Sequence, residues 1–263
     1  MSTSTDTHAR PQTSAPTKPP GLGHLAGVEL RKAVDTRAGF WLLVVVVLVS
    51  LAVVAVQVLA GGDQAGDYAF WLVLQQTPAG FLVPVIAILV VTSEWSARTA
   101  TGTFTLVPRR QRVLTAKLLA VLVLTVAAFA VSVAVTAAGT AAGAAVQDVP
   151  ADWDVQWWQV LQPFVLLLVS VLVGFALALL LLSSPVAIVL YFVVPTAVTL
   201  LLLFVGPLQD VAPWVDFSTA LTPVGQGLQM GAPEWARLAT ASAIWVLVPS
   251  VLGALRVHRA EIG

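Results

Sequence analysis

The sequence predicts an all-α polytopic membrane protein with six transmembrane helices, cytosolic N- and C-termini and an N-terminal interfacial elbow helix. Three observations predict it. The 263 residues are 58% hydrophobic and only 10% charged, with a mean hydropathy of +0.92. Soluble domains average about 25% charged residues, so this chain has too little polar surface to face water on all sides. Six apolar stretches, at about 40–60, 69–93, 115–146, 158–182, 185–206 and 236–256, meet or approach the roughly 20 residues a helix needs to cross the hydrocarbon layer. Finally, twelve of the thirteen Lys and Arg fall on one side of those stretches.

Residues 1–22 are rich in Ser, Thr and Pro and have no apolar periodicity. They bury too little surface to offset ordering entropy and read as a disordered cytosolic tail, with the six-span domain over 23–263. The first apolar run begins only near Phe40, too late for a signal peptide. Residues 25–38 read as a short helix in the interface. Leu25, Val28, Leu30 and Val34 make its apolar side, while Glu29, Arg31, Lys32, Asp35 and Arg37 stay wet; the plain alternative is a charged flank of the first span.

The second stretch is the least clean, because Gln75, Gln76, Thr77 and Pro78 interrupt it; residues 69–77 then read as an interfacial entry to a shorter span. The fourth and fifth stretches are separated only by Ser183-Ser184-Pro185, and the residue before proline is driven from helical geometry, which makes the pair a hairpin. Pro84, Pro195 and Pro249 predict kinks within spans. Gly139 and Gly143 form a G-x-x-x-G that fits either a specific dimer face or generic close packing.

Orientation follows from the basic residues. Arg10, Lys18, Arg31, Lys32 and Arg37 precede the first span, Arg98, Arg109, Arg110, Arg112 and Lys117 lie between the second and third, and Arg256 and Arg259 follow the sixth. The other three connections hold Arg237 against eight carboxylates, from Asp63 to Glu234. Both termini and the 93–117 connection are therefore expected in the cytosol. Trp153, Trp157 and Trp158 at the outer boundary, with Trp41 and Trp95 at the inner one, suit headgroup anchoring.

The chemistry of enzymes is missing from the sequence. His8, His24 and His258 all sit at chain ends, and there is no cysteine. No HExxH, GxSxG or phosphate-binding Gly-Lys-Ser/Thr run occurs. The span cores hold no ionisable side chain of the kind that binds or relays a driving ion. The reading is a non-enzyme with no catalytic, cofactor or metal residues and no nucleic-acid partner. Any energy it uses comes from a separate subunit.

The remaining charge is concentrated in SEWSARTATGTFTLVPRRQRVLTAKLL, residues 93–119. Spacing alone fits a topology anchor as well as a docking loop. A six-span chain with cytosolic ends, an acid closing span two and Pro-Arg-Arg-x-Arg-Val-Leu-x-Ala-Lys opening span three resembles the permease subunits of type-2 ABC exporters. That resemblance implies a coupling helix in this loop, docked on a separately encoded ATP-binding subunit. It places the boundary acid on Glu94, the loop proline on Pro108, the arginine pair on Arg109 and Arg110 and the span-opening lysine on Lys117. Glu94 and Arg98 then make boundary and coupling contacts, while Arg109, Arg110 and Arg112 face the ATPase or lipid phosphates. Gly102-Thr103 lies four residues beyond Arg98-Thr99, where the family commonly has its Gly-Thr pair.

The resemblance also implies that Leu25, Val28, Arg31, Lys32 and Arg37 belong to an elbow helix and that 207–235 carries outer half-helices. It implies a second permease chain, ATP and magnesium held by the partner ATPase, and residence in a bacterial cytoplasmic membrane in contact with its lipids. The expected function is ATP-driven export of a hydrophobic or amphipathic substrate. A partnerless carrier or channel and a non-transporting membrane assembly protein are the alternatives.

Overall fold

The computed structural model describes residues 21–96 and 110–259, and it is all-α. Six helices are long and apolar enough to cross a membrane, which makes this a multi-pass membrane protein. A first helix, α1 (Leu22–Asp35), precedes them. The spans are α2 (Arg37–Ala60), α3 (Tyr68–Ser96), α4 (Arg110–Gln147), α5 (Trp157–Leu181) and α6 (Ser184–Phe204), with a sixth running from Ala232 to Arg259. Between α6 and the sixth span come three single-turn helices, α7 (Ala212–Val215), α8 (Phe217–Ala220) and α9 (Thr222–Gly225), in the segment expected to carry half-helices.

The sixth span has three parts: α10 (Ala232–Ser242), a π-helical turn at Ala243–Leu247, and α11 (Val248–Arg259). The π-turn sits just before Pro249, whose ring lacks an N–H and crowds the preceding turn. The wider turn gives that ring room an α-turn lacks.

Among the described residues, the Lys and Arg other than Arg237 fall at one end of the bundle, called here the basic end, and the carboxylate-rich connections at the other, the acidic end. The core lies where α3 meets α5. Leu72, Ile88, Val91, Leu167 and Val171 are fully buried there. Close approach is set by small residues. A Cβ on Gly174 would lie 3.0 Å from the Pro84 carbonyl oxygen, and one on Gly253 would lie 2.6 Å from the Leu179 backbone, so α5 accepts a neighbour on each flank only because these positions are glycine.

One expectation is overturned here. Gln75-Gln76-Thr77-Pro78 does not shorten the second span, because α3 runs as one helix through both Pro78 and Pro84. A proline in a helix leaves the carbonyl four residues earlier without its donor. For Pro84 that carbonyl is Gly80, and Tyr191 of α6 donates its hydroxyl to it at 3.2 Å. A neighbouring helix thus restores the bond, as the apolar surroundings demand. The amides of Gln75 and Gln76 are buried at 1–2% exposure inside the bundle instead of lying at an interface.

The G-x-x-x-G pair is used within the chain. A Cβ on Gly139 would collide with Gln57 Oε1, and one on Gly143 would lie 2.9 Å from the Ala65 carbonyl oxygen. The gap lets the buried Gln57 amide donate to Thr140 Oγ1 at 3.0 Å and to the Ala65 carbonyl at 3.1 Å. Close packing on α4 of α2 and of the connection that follows it accounts for the two glycines. At the acidic end the first and second outer connections are stitched together by Asp152 N–H donating to the Gly66 carbonyl at 2.8 Å.

Candidate functional site

At the basic end α1 lies against α4, α2 and the end of α3. Ala26, Glu29 and Ala33 share one face at spacings of three and four, and all three are buried. Two alanines let the helix approach closely; the residue between them reaches its neighbour. Glu29 Oε2 accepts a hydrogen bond from Lys117 Nζ of α4 at 2.6 Å, with side-chain exposures of 7% and 3%. Lys117 also donates to the Val90 carbonyl of α3 at 2.9 Å. The other Glu29 oxygen takes a hydrogen bond from Lys32 at 2.8 Å. One carboxylate and one ammonium therefore join α1, α3 and α4. Nearby, Thr92 bonds the Ile88 carbonyl and shares a 2.7 Å hydrogen bond with Ser184, which ties the end of α3 to the start of α6.

The placement of Glu29 corrects the expectation that it stays wet. Hydropathy assigns the apolar side of α1 to contact, but Val28 and Val34 are exposed on the chain, where they suit the surrounding hydrocarbon. The face that meets protein is the small-residue stripe, and Glu29 is tolerated on it because Lys117 neutralises it. Taking either ion from water alone would be costly, so pairing and hydrogen bonding are the conditions of burial.

Of the elbow residues, Leu25 is half-buried, and Val28, Arg31, Lys32 and Arg37 are exposed. Arg31 and Arg37 face outward from the bundle. Of the loop residues, Glu94 falls in the last turn of α3 and Arg110 opens α4, their side chains outside the described residues. Arg98, Gly102, Thr103, Pro108 and Arg109 also lie outside the described residues. Arg112 is half-buried in the first turn of α4. Lys117 sits about one and a half turns further along the same helix, turned inward to Glu29. Its ammonium is engaged within the chain and belongs to the joint between helices.

Sequence reasoning missed Glu29 as a structural partner. The signal was present in the spacing Ala26, Glu29, Ala33, since small residues either side of one polar residue mark a contact face rather than a solvated one.

A second polar concentration lies towards the acidic end. Asp216 has no exposed surface, and its carboxylate accepts hydrogen bonds from Thr199 of α6 at 3.0 Å and from the backbone N–H groups of Ser218 and Thr219 at 3.2 and 3.1 Å. It caps α8 and pins it to α6. Gln162 of α5 works similarly, donating to the Leu228 carbonyl and accepting from Met230 N–H at 2.9 and 2.8 Å. Trp245 donates its indole N–H to the Val215 carbonyl at 2.8 Å. Three spans thereby hold the short helices and the segment that follows them, through Met230, as a cover over the bundle. No group of three or more metal-ligating side chains occurs among the described residues.

Neither a known protein-family model nor a curated protein matches this chain.

Proposed function

We propose that this multi-pass membrane protein is the transmembrane subunit of an ATP-driven exporter. In this reading ATP and magnesium are held by a separate ATP-binding subunit that docks at the 93–117 connection. A second permease chain completes the path, and the complex sits in a bacterial cytoplasmic membrane with the basic end in the cytosol. The observation that carries the reading is the joint formed by Glu29, Lys117 and the Val90 carbonyl. It binds the two helices that flank the 97–109 connection to each other and to the surface helix beside them.

Energy entering through that connection meets a braced unit instead of two independent helix ends. A push on Arg109, Arg110 and Arg112 would displace α3, α4 and α1 together, and bound nucleotide in the partner would shift the permease between states through its differing affinity for them. The six spans resemble those of the exporter permeases in number, and the basic loop resembles theirs in motif. The charge of that loop suits carboxylates on a partner or lipid phosphates.

Affinity purification from membranes tests the reading. An ATP-binding subunit is expected to co-purify with the intact chain and to be lost with the double variant Arg109→Glu/Arg110→Glu. The chain alone is expected to hydrolyse no ATP. Turnover by the pure chain, or failure of any ATP-binding protein to co-purify after cross-linking in membranes, would overturn it.

A further inference from the structure

The sixth span packs differently on the two sides of its π-turn. Towards the basic end α11 lies along α5, where Gly253 lets the backbones meet and Arg256 donates to the Leu180 carbonyl at 2.6 Å. Towards the acidic end, among the described residues, α10 packs chiefly on α7 and α8 of the cover. Leu238 and Ala241 of α10 are buried in one apolar cluster with Ala220, Leu221, Val224 and Met230. The cover and α10 are therefore one packed unit, which α5 borders with the half-buried Val165 and Leu166. The chain that joins this unit to α6, residues 205–211, is exposed except at Leu208.

The polar fastenings of the unit are arranged to open without stranding their partners. Thr199 of α6 has one hydroxyl hydrogen and two acceptors in reach, Asp216 Oδ1 and the Pro195 carbonyl of its own helix, each at 3.0 Å. Released from Asp216, it bonds its own helix. Asp216 then keeps the N–H groups of Ser218 and Thr219 and the Thr219 hydroxyl, all within the cover. Gln162, which holds Leu228 and Met230, also lines a cleft of about 350 Å³ with Asp67, Asp152 and Asp154 at the acidic end, where water can take over its bonds. The apolar border adds little to closure at membrane depth, because acyl chains are as apolar as the side chains they replace.

We propose that α10 and the cover swing as one unit about the π-turn and so open the acidic-end side of the cavity between α3, α5 and α6. The cover supplies Phe217, Ser218, Leu221, Val224 and Gly225 to the wall of that cavity, whose volume is about 420 Å³. Sharp bends in helices concentrate at prolines and π-turns, and here residues 243–247 and Pro249 put both together. Trp245 is the pivot. It packs on Val169, Val173 and Leu177 of α5, while its indole N–H holds the Val215 carbonyl of the unit at 2.8 Å. That opening releases a cargo rests on the exporter reading; that the unit moves does not, and the experiment uses no ATPase.

The full chain has no native cysteine. It is spin-labelled at cysteine pairs in phosphatidylcholine nanodiscs, and the distances are read by dipolar electron spin resonance. The first pair, Leu161→Cys with Ala239→Cys, spans α5 and α10. The second, Thr222→Cys with Ala239→Cys, lies within the unit. The third, Val189→Cys with Leu255→Cys, joins α6 to α11. All five positions are exposed. Thr199→Val is expected to raise the population of a second, longer distance in the first pair about tenfold, the worth of one hydrogen bond to a carboxylate. Thr199→Ser keeps the hydroxyl and is expected to match the parent. Thr199→Val combined with Gln162→Met removes the fastenings to both spans, and the longer distance is expected to predominate. The second and third pairs are expected to keep the parent's distances throughout.

A first-pair distance unchanged in the double variant would overturn the proposal. So would a new distance in the second pair, which would part the cover from α10. A third pair that changes as much as the first would mean a general loosening of the bundle, and would overturn it as well. None of these results bears on whether an ATP-binding subunit co-purifies.

Discussion

Replacing Lys117 with Met removes the cation from a carboxylate that is 7% exposed and leaves the lysine stem's volume in place. Breaking one partner out of a buried pair costs about 3–5 kcal/mol. The lower end applies here, because Lys32 still reaches the other oxygen of Glu29 at 2.8 Å. The loss falls on the seating of α1 and not on the whole bundle, since the α3–α5 core is untouched. The chain has no cysteine, so a single Ala33→Cys under α1 reports its opening through the rate of maleimide labelling. Ala33 is 7% exposed when α1 is seated. A loss of about 3 kcal/mol, at 1.36 kcal/mol per decade, raises the open population and the labelling rate about 150-fold. The double variant Glu29→Leu/Lys117→Met replaces the pair with apolar side chains and is expected to label within about tenfold of the parent, because a well-packed apolar substitute for a buried ion pair is often neutral. A Lys117→Met rate within twofold of the parent, or a double variant as loose as the single one, would refute the reasoning that the pair seats the helix.

Gly139→Leu should drive its side chain into the Gln57 amide and destabilise the chain by about 1–3 kcal/mol, read as a lower midpoint in thermal unfolding followed by tryptophan fluorescence, with the oligomeric state unchanged. Asp216→Ala strips the cap from α8 and its link to Thr199, which should cost about 1–3 kcal/mol and speed proteolysis between residues 207 and 231, while Asp216→Asn retains part of the cap. Tyr191→Phe deprives the Gly80 carbonyl of the donor that stands in for Pro84. It should lower stability by about 1–2 kcal/mol, and Tyr191→Phe combined with Pro84→Ala should recover most of that loss in the same measurement.

The spans were legible because a helix in hydrocarbon must be both long and apolar, and each of the six stretches appears within a few residues of its place. What composition could not reveal was which polar residues inside those stretches face protein. Gln75 and Gln76 read as an interruption because a window of hydropathy averages over the helix circumference, whereas burial depends on the side on which each residue falls. Glu29 was assigned to water for the same reason. Its partner Lys117 lies 88 residues away, and only the packing of α1 on α4 brings them together. The cover at 212–230 depends on Asp216 and Gln162, whose partners, apart from the hydroxyls of Thr199 and Thr219, are backbone groups that carry no side-chain signature.

Two parts of the molecule meet in α3, the joint at the basic end and a cavity of about 420 Å³ between α3, α5 and α6. Lys117 grips this helix at the Val90 carbonyl, and the cavity takes Gln76 from it fourteen residues earlier, which is about 21 Å along an α-helix. The helix carries two internal prolines, and at Pro84 the bond its ring cannot make is replaced by a hydroxyl from α6. That hydroxyl belongs to Tyr191, which also lines the cavity. A shift of the basic end of α3 relative to α6 therefore strains the Thr92–Ser184 contact at one level and the Tyr191–Gly80 contact at another, and the second of these forms part of the cavity wall. A polar residue on the wall that also repairs a proline break makes the cavity's shape depend on the relative position of α3 and α6. The same pair of helices is held at the basic end by Thr92 and Ser184, where the joint of Glu29 and Lys117 fixes α3 to α1 and α4.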